Sequence, residues 1–372
     1  MDTNTRLSPQ DSAHLEWARR IARRGWGQVH PNPMVGCVLV REGRVVGEGY
    51  HEVFGGPHAE IVALEQALGE AEGATAYVSL EPCNHHGKTP PCSEALVAAG
   101  VTRVVFGAAD PGDESGGGAK ALRAAGVDVV GPVWSPAQSR AENPAFHHVA
   151  RHETPFVALK LAVSLDARIA AAVGERTRVT GADAEREVHR LRQGFDAVMV
   201  GAGTVAADDP RLTVRLLPGG REPTRRILLL PDAELPAGAA VLRDVDDVPV
   251  HVFCREGASE AAMEHLEAVG AHVHPVPGTA HALDLDAVLR VSRGLGIRSI
   301  LCEGGRGLAE SLLRERRVQR LYLFVAPVTF GERGVPAFPA DAETLVWNDF
   351  QPAVEPEGFG RDTLLVFDRQ ED

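Results

Sequence analysis

The sequence has little of what marks a membrane protein, a secreted scaffold or a nucleic-acid binder. No apolar stretch approaches the roughly twenty residues that a spanning helix needs, and no charged segment leads into an apolar core near Met1 as in a secretory signal. There are five cysteines, an odd number that does not build a disulfide framework. Cys254 and Cys302 lie in apolar runs and read as buried thiols, and Cys37 has no assigned role. Positive charge is in deficit: 38 Lys and Arg against 51 Asp and Glu give a net charge of -13, the wrong sign for neutralising phosphate backbones. A local basic pocket is still allowed. There is no internal repeat, no low-complexity tract and no G-x-G-x-x-G dinucleotide fingerprint. These absences predict a cytoplasmic protein with neither a membrane nor a nucleic-acid partner. A chain of 372 residues is long enough for two domains with separate cores.

What is present is concentrated in two short segments, Pro57-His58-Ala59-Glu60 and the run from Glu81 through Pro82-Cys83 to Pro91-Cys92. One imidazole, His58, and two thiols, Cys83 and Cys92, suit zinc, and three protein ligands leave a tetrahedral ion one open position. Zinc lowers the pKa of water in that position from about 15.7 to roughly 7, which favours hydroxide by about 12 kcal/mol. Glu60 need not be a ligand and can move a proton between water, substrate and a departing amine. Hydrolytic deamination fits this division of labour. Zinc nucleobase deaminases carry H-x-E followed by P-C-x-x-C. The first half matches, but residues 84–91 put eight positions between the cysteines where that signature has two. The longer loop costs closure entropy only logarithmically, and Asn84, His85, His86 and Lys88 make it a candidate substrate-recognition element. Two other readings stand beside the catalytic one. His85 or His86 could close a structural Cys2His2 shell, or the two thiols could be buried without a metal.

Apolar spacing predicts a helix over 13–24, stopping at Gly25, then a hairpin of 35–40 and 45–49 around a Gly-containing turn. Helical spacing after His58 and after Cys92 places both ligands at helix N-termini. Further strands are expected at 75–80, 104–106 and 127–130, with helices at 93–99 and 119–125 between them. Gly116 to Gly118 read as a turn and nothing more. The order implies one mixed sheet covered by helices. Residues 131–155 hold Pro132, Pro136, Pro144 and Pro155 and are the best linker candidate, so domains are expected at 1–150 and 151–372. The second shows another α/β pattern, with strands at 156–163, 197–200, 226–230, 248–253, 299–302, 321–325 and 363–367. Two glycine-bearing turns follow strands there, at Gly201-Ala202-Gly203-Thr204 and Glu303-Gly304-Gly305-Arg306-Gly307. With Lys160, Ser164, Asp166 and the run 208–215 they point to an anion or nucleotide site, and the residues alone go no further.

The run His30-Pro31-Asn32-Pro33 to Cys37, then Gly47 to His51, the two metal-ligand segments, Leu159-Lys160-Leu161, Ser164-Leu165-Asp166, the 200–204 turn, Asp208 to Pro210, Leu212 to Arg215 and Glu303 to Gly305 resemble the bifunctional riboflavin-biosynthesis deaminase/reductase family, in order over nearly the whole chain. The resemblance implies an α/β protein with an N-terminal cytidine-deaminase-like mixed sheet, helices on both faces, and a C-terminal dihydrofolate-reductase-like α/β domain. It implies hydrolysis of the 2-amino group of a phosphoribosylamino-pyrimidine, then NADPH-dependent reduction of the ribosyl group to ribityl. By matching positions, His58, Cys83 and Cys92 hold one Zn2+ and Glu60 is catalytic, while Asn32, His51, His85 and Lys88 contact the deaminase substrate. In the reductase, Arg192, Leu212, Arg215 and Glu303 contact substrate, the two arginines suiting a sugar phosphate. Ala162, Arg178, Thr204, Asp208, Gly305, Arg306 and Gly307 line the cofactor, with Lys160 and Asp166 in support. Three places depart from the family pattern: Ala167 where glycine is usual, Arg178 where tryptophan is usual, and Leu230-Pro231 where an aspartate and a small polar residue are usual. The expected partner is a small phosphorylated pyrimidine, and the expected assembly a homo-oligomer. The competing expectation is a zinc deaminase of a free base, nucleoside or tRNA with a weakened or non-reductase second half.

Overall fold

A computed structural model of the chain describes residues 7–86, 90–112, 115–217, 221–236, 238–338 and 349–370. It divides into two compact units, Met1–Arg151 and His152–Asp372.

The first unit runs α1 (Pro9–Ala22), a 3-10 turn (Arg23–Gly25), β1 (Gly36–Arg41), β2 (Arg44–Tyr50), α2 (Ala59–Gln66), β3 (Thr75–Leu80), α3 (Cys92–Ala98), β4 (Arg103–Ala108), α4 (Gly118–Ala124), β5 (Asp128–Val130), α5 (Pro136–Glu142) and α6 (Pro144–Val149). Helix α1 starts at a reciprocal cap: the Ser8 hydroxyl accepts from the Asp11 amide and the Asp11 carboxylate from the Ser8 amide. The β1–β2 hairpin turns through Glu42 and Gly43, both at positive φ (52° and 76°), as its tight turn requires. Strand order is β2-β1-β3-β4-β5, with β1 antiparallel to both neighbours and the rest parallel. Side chains alternate across this sheet with period two. Cys37, Leu39, Val78, Val104 and Phe106 face Ala59 and Ala63 of α2, Leu96 of α3 and Leu122 of α4, while Val38, Val40, Tyr77 and Val105 face Leu15, Ala18 and Ile21 of α1. Cys37 is thus a core residue. Helix α2 lies close on β2 because Gly49 has no side chain; a Cβ there would meet the Ala63 backbone nitrogen at 2.5 Å.

The segment expected to be a linker instead folds onto this unit. Glu142 pairs with Arg19 at 2.7 Å and Arg23 at 2.9 Å. The Asn143 amide accepts from the Met34 backbone nitrogen at 2.8 Å and donates to the Met34 carbonyl at 3.0 Å. Pro136 and Pro144 begin α5 and α6, positions where a missing N–H costs nothing. The prolines mark helix starts.

The second unit runs β6 (Phe156–Ser164), β7 (Arg168–Ala170), α7 (Ala182–Gln193), β8 (Ala197–Gly201), α8 (Ala202–Asp208), β9 (Arg225–Leu229), β10 (Val250–Arg255), α9 (Glu260–Ala268), β11 (His272–Val276), α10 (Leu285–Gly294), β12 (Ser299–Cys302), α11 (Arg306–Arg314), β13 (Arg320–Ala326), β14 (Val335–Pro336), β15 (Phe350–Pro352), β16 (Glu357–Phe359) and β17 (Asp362–Arg369). The main sheet is ordered β11-β10-β9-β8-β12-β6-β13-β17-β15. It is parallel from β11 to β13, and β17 is antiparallel to both β13 and β15. Leu159, Met199, Ile227 and Ile300 face α10 and α11; Val198, Leu228 and Val252 face Leu266 of α9. Strand β11 lies at the edge, and its His and Pro residues gave no strand pattern. Ala167, in the turn between β6 and β7, takes the left-handed conformation itself, at φ 56°.

Candidate active sites

In the first unit three ligand atoms converge. His58 is the N-cap of α2 and Cys92 the first residue of α3, so both are set by the helix starts; Cys83 lies on the loop after β3. His58 Nδ1 is 3.2 Å from Cys92 Sγ and 3.5 Å from Cys83 Sγ, and the three ligand atoms all lie within 4.8 Å of one another. A tetrahedral zinc with bonds of about 2.0 Å to nitrogen and 2.3 Å to sulfur requires N–S edges of about 3.5 Å, so the donor set fits the ion. Glu60, on the first turn of α2, is 3 % exposed, and burial pushes its carboxyl up to about 7. The Cys83 thiol is pulled down to about 4, chiefly by the hydrogen bond from Cys92, whose own thiol is pushed up. Beside them His51 is buried and fixed at both nitrogens: Nδ1 donates to the Pro57 carbonyl at 2.9 Å, and Nε2 accepts from Asn32 Nδ2 at 3.1 Å. Burial lowers its pKa and keeps it neutral.

The loop carrying Cys83 is anchored from below. The Ser93 amide donates to the Cys83 carbonyl at 3.2 Å, Ser93 Oγ to Asn84 Oδ1 at 2.9 Å, and the Asn84 amide to the Ser115 carbonyl at 3.0 Å. Gly118 proves to be more than a turn residue, since a Cβ there would overlap the Pro82 carbonyl oxygen. Of the insertion residues, His85 is exposed, His86 is exposed and 3.3 Å from Glu94, and Lys88 lies outside the described residues. Neither histidine joins the cysteines among the described residues, so the closed Cys2His2 shell does not form. Its alternative, a metal-free pair of packed thiols, does not account for the imidazole brought against both sulfurs.

In the second unit, the carboxyl ends of β6, β8 and β12 carry the charged residues, where ligands bind in open α/β sheets. Arg192 on α7 grips Glu303 with two prongs, 2.6 and 2.9 Å, and its remaining NH1 donates to the Thr213 carbonyl at 2.7 Å. Its fork is therefore engaged within the protein, which corrects the expectation of a bidentate grip on phosphate at this position. Arg215 is exposed and 3.8 Å from Glu185, so its guanidinium remains available. Lys160 lies near Glu303 and Asp208, and burial pulls its pKa down; Asp208, raised by burial, is in the field of Arg176 and Lys160. Gly305 packs on Thr204, a Cβ there meeting Thr204 Oγ1 at 3.0 Å, while Gly203 and Gly307 face open space. The helix starts after β8 and β12 thus leave backbone unobstructed at Gly203 and Gly307, as close approach of a cofactor's phosphates to backbone amides requires.

The remaining predicted residues sort by what they touch. Leu212 is buried in the core and left-handed at φ 56°, so it offers backbone. Ala162 is half-buried on β6. Asp166 holds the turn and the segment after β13, accepting from Ser164 Oγ at 2.5 Å and from the Gly331 amide at 2.7 Å. Arg178 is exposed and paired with Glu185 at 2.5 Å, and Arg306 is exposed at the start of α11. Sequence reasoning missed His189, Glu185 and Arg176, which the fold adds to this cluster. For His189 and Glu185 the available signal was their place on the same helix as Arg192.

Comparison with known proteins matches each half of the chain to a family. Residues 8–108 match the family described as the cytidine and deoxycytidylate deaminase zinc-binding region, and residues 155–349 match the RibD C-terminal domain. The chain is 39% identical over 323 residues to riboflavin biosynthesis protein RibD of Aquifex aeolicus, covering 87% of this chain and 88% of that protein. It is 39% identical over 343 residues to RibD of Escherichia coli, covering 89% and 92%. The solved structure of Acinetobacter baumannii RibD matches with a TM-score of 0.82 at 33% identity, covering 97% of this chain and 99% of that one. A Thermotoga maritima diaminohydroxyphosphoribosylaminopyrimidine deaminase/5-amino-6-(5-phosphoribosylamino)uracil reductase matches at 0.81 and 32%, with the same coverage. A match through the second half favours the two-activity reading over a zinc deaminase of a free base, nucleoside or tRNA with a weakened or non-reductase C-terminal domain. Both halves being matched in order along most of its length, the chain belongs to the RibD family, the bifunctional zinc deaminases and NADPH reductases of riboflavin biosynthesis.

Proposed function

We propose that residues 1–150 deaminate a 2,5-diamino-6-(phosphoribosylamino)pyrimidinone and that residues 151–372 reduce the ribosyl group of the product to ribityl. The observation that carries this reading is the convergence of His58 Nδ1, Cys83 Sγ and Cys92 Sγ beside a buried carboxylate. Zinc in this donor set supplies Lewis acidity at the open position. Glu60 takes the proton of the attacking water on a carboxylate oxygen and delivers it to the 2-amino group as the C–N bond breaks and ammonia leaves. Asn32, its amide oriented by donation to His51 Nε2, presents Oδ1 as an acceptor for the pyrimidine edge. His85 and Lys88 complete the contacts to this substrate.

NADPH supplies the hydride in the second step. Thr204, Asp208 and the amides of Gly305, Arg306 and Gly307 hold it, with Ala162 and Arg178 at its edge. Arg215 binds the sugar phosphate with a planar fork. The Arg192–Glu303 pair and the Leu212 backbone frame the substrate, Lys160 supports the site from beside Glu303, and Asp166 fixes the loop beyond β6. We also propose a cytoplasmic homo-oligomer without nucleic-acid or membrane partners. The net charge of -13 and five unpaired cysteines support the location, and no helix among the described residues is long and apolar enough to cross a membrane. The test is a coupled assay on the full chain with the diaminopyrimidine: NADPH oxidation should follow ammonia release with a lag, and ammonia release with no NADPH consumption refutes the second half of the reading.

A further inference from the structure

Residues 211–215 belong to no helix or strand, yet consecutive backbone groups in this stretch are held by side chains. The Thr213 carbonyl accepts from Arg192 NH1 at 2.7 Å, the Val214 amide donates to Glu222 at 2.7 Å, and the Arg215 amide donates to His189 Nδ1 at 3.1 Å. His189 and Arg192 lie three positions apart on α7 and so share a face. Both are buried, His189 to 1 % exposure, whereas the Arg215 side chain stays open. We propose that His189 is a positioning residue of the reductase: its Nδ1 lone pair fixes the Arg215 backbone and so aims the Arg215 guanidinium at the substrate phosphate.

Accepting a peptide N–H requires Nδ1 to be bare, so the proton sits on Nε2 and the ring is neutral. A protonated ring would lose the bond and place a third cation beside Arg192 and Arg215. Burial, then Arg192 and Arg215, hold His189 down at about 4, in agreement with the geometry. A ring that only filled space would not need its acceptor atom.

The inference rests on Arg215 contacting substrate, and the experiment separates the two. On the full chain, the reductase step is measured with the deaminated phosphoribosyl substrate and NADPH. Arg215→Ala should raise KM, and an unchanged KM refutes the substrate contact itself. His189→Phe, which keeps a ring and loses the acceptor, should raise KM about tenfold with kcat and NADPH affinity unchanged. His189→Asn, whose Oδ1 can replace Nδ1, should recover most of that loss. If Arg215→Ala raises KM while His189→Phe does not, or if Asn is as poor as Phe, or if kcat and NADPH affinity fall as well, the proposal is wrong. Should the Phe variant fail to fold, His189→Ala with free imidazole replaces it: restored KM supports the proposal and absence of rescue overturns it.

Discussion

Arg192 and Glu303 neutralise one another through two parallel hydrogen bonds, Nε to Oε1 at 2.6 Å and NH2 to Oε2 at 2.9 Å, with both side chains nearly buried. A pair so placed is costly to break and cheap to replace whole. Arg192→Met strands a buried carboxylate and should destabilise the second unit by about 3–5 kcal/mol. The double variant Arg192→Met/Glu303→Met should recover most of that stability without recovering reductase activity. Urea unfolding of the wild type and the two variants measures this, and equal destabilisation of single and double variants contradicts it.

Gly118 should be irreplaceable for a reason confined to the first unit. A methyl at this position pushes on the Pro82 carbonyl, next to Cys83. Gly118→Ala should therefore lower bound zinc and ammonia release together while NADPH-dependent reduction of the deaminated substrate is retained. Zinc content by atomic absorption checks it; a full zinc complement in the variant counts against the account.

Acid stability should depend on Asp11. Its carboxylate accepts from Arg103 at 2.8 Å and from Tyr77 OH at 2.7 Å, and the Arg103 bond above all holds it well below the usual carboxylate range. A depressed folded pKa gives stability that is full above the unfolded value near 4 and is lost as pH falls through the folded one. The Tm of the first unit should thus drop between about pH 5 and pH 2 more steeply in the wild type than in Asp11→Asn. Parallel curves for the two proteins would show that Asp11 does not contribute.

Local signals made much of this legible from sequence. Short β-rich runs marked β1, β3 and β4, a Gly turn marked the β1–β2 hairpin, and helical spacing after His58 and Cys92 placed two ligands at helix starts, which is where α2 and α3 begin. The proline-rich stretch before Pro155 misled because proline at the first turn of a helix and proline in a linker look alike. What the sequence did not reveal were partnerships between distant residues. Arg192 and Glu303 are 111 positions apart, and Met34 and Asn143 are 109 apart; no periodicity links such residues. The correction to Arg192 follows directly: an arginine that suits a phosphate also suits a carboxylate, and only the fold shows which one it meets.

The central claim is that His58, Cys83 and Cys92 hold zinc while Glu60 moves the proton. Its most direct test is Glu60→Gln, assayed together for zinc content and ammonia release. The account predicts a full equivalent of zinc and ammonia release lowered by about 100-fold to 10,000-fold. Wild-type ammonia release from that variant would contradict it.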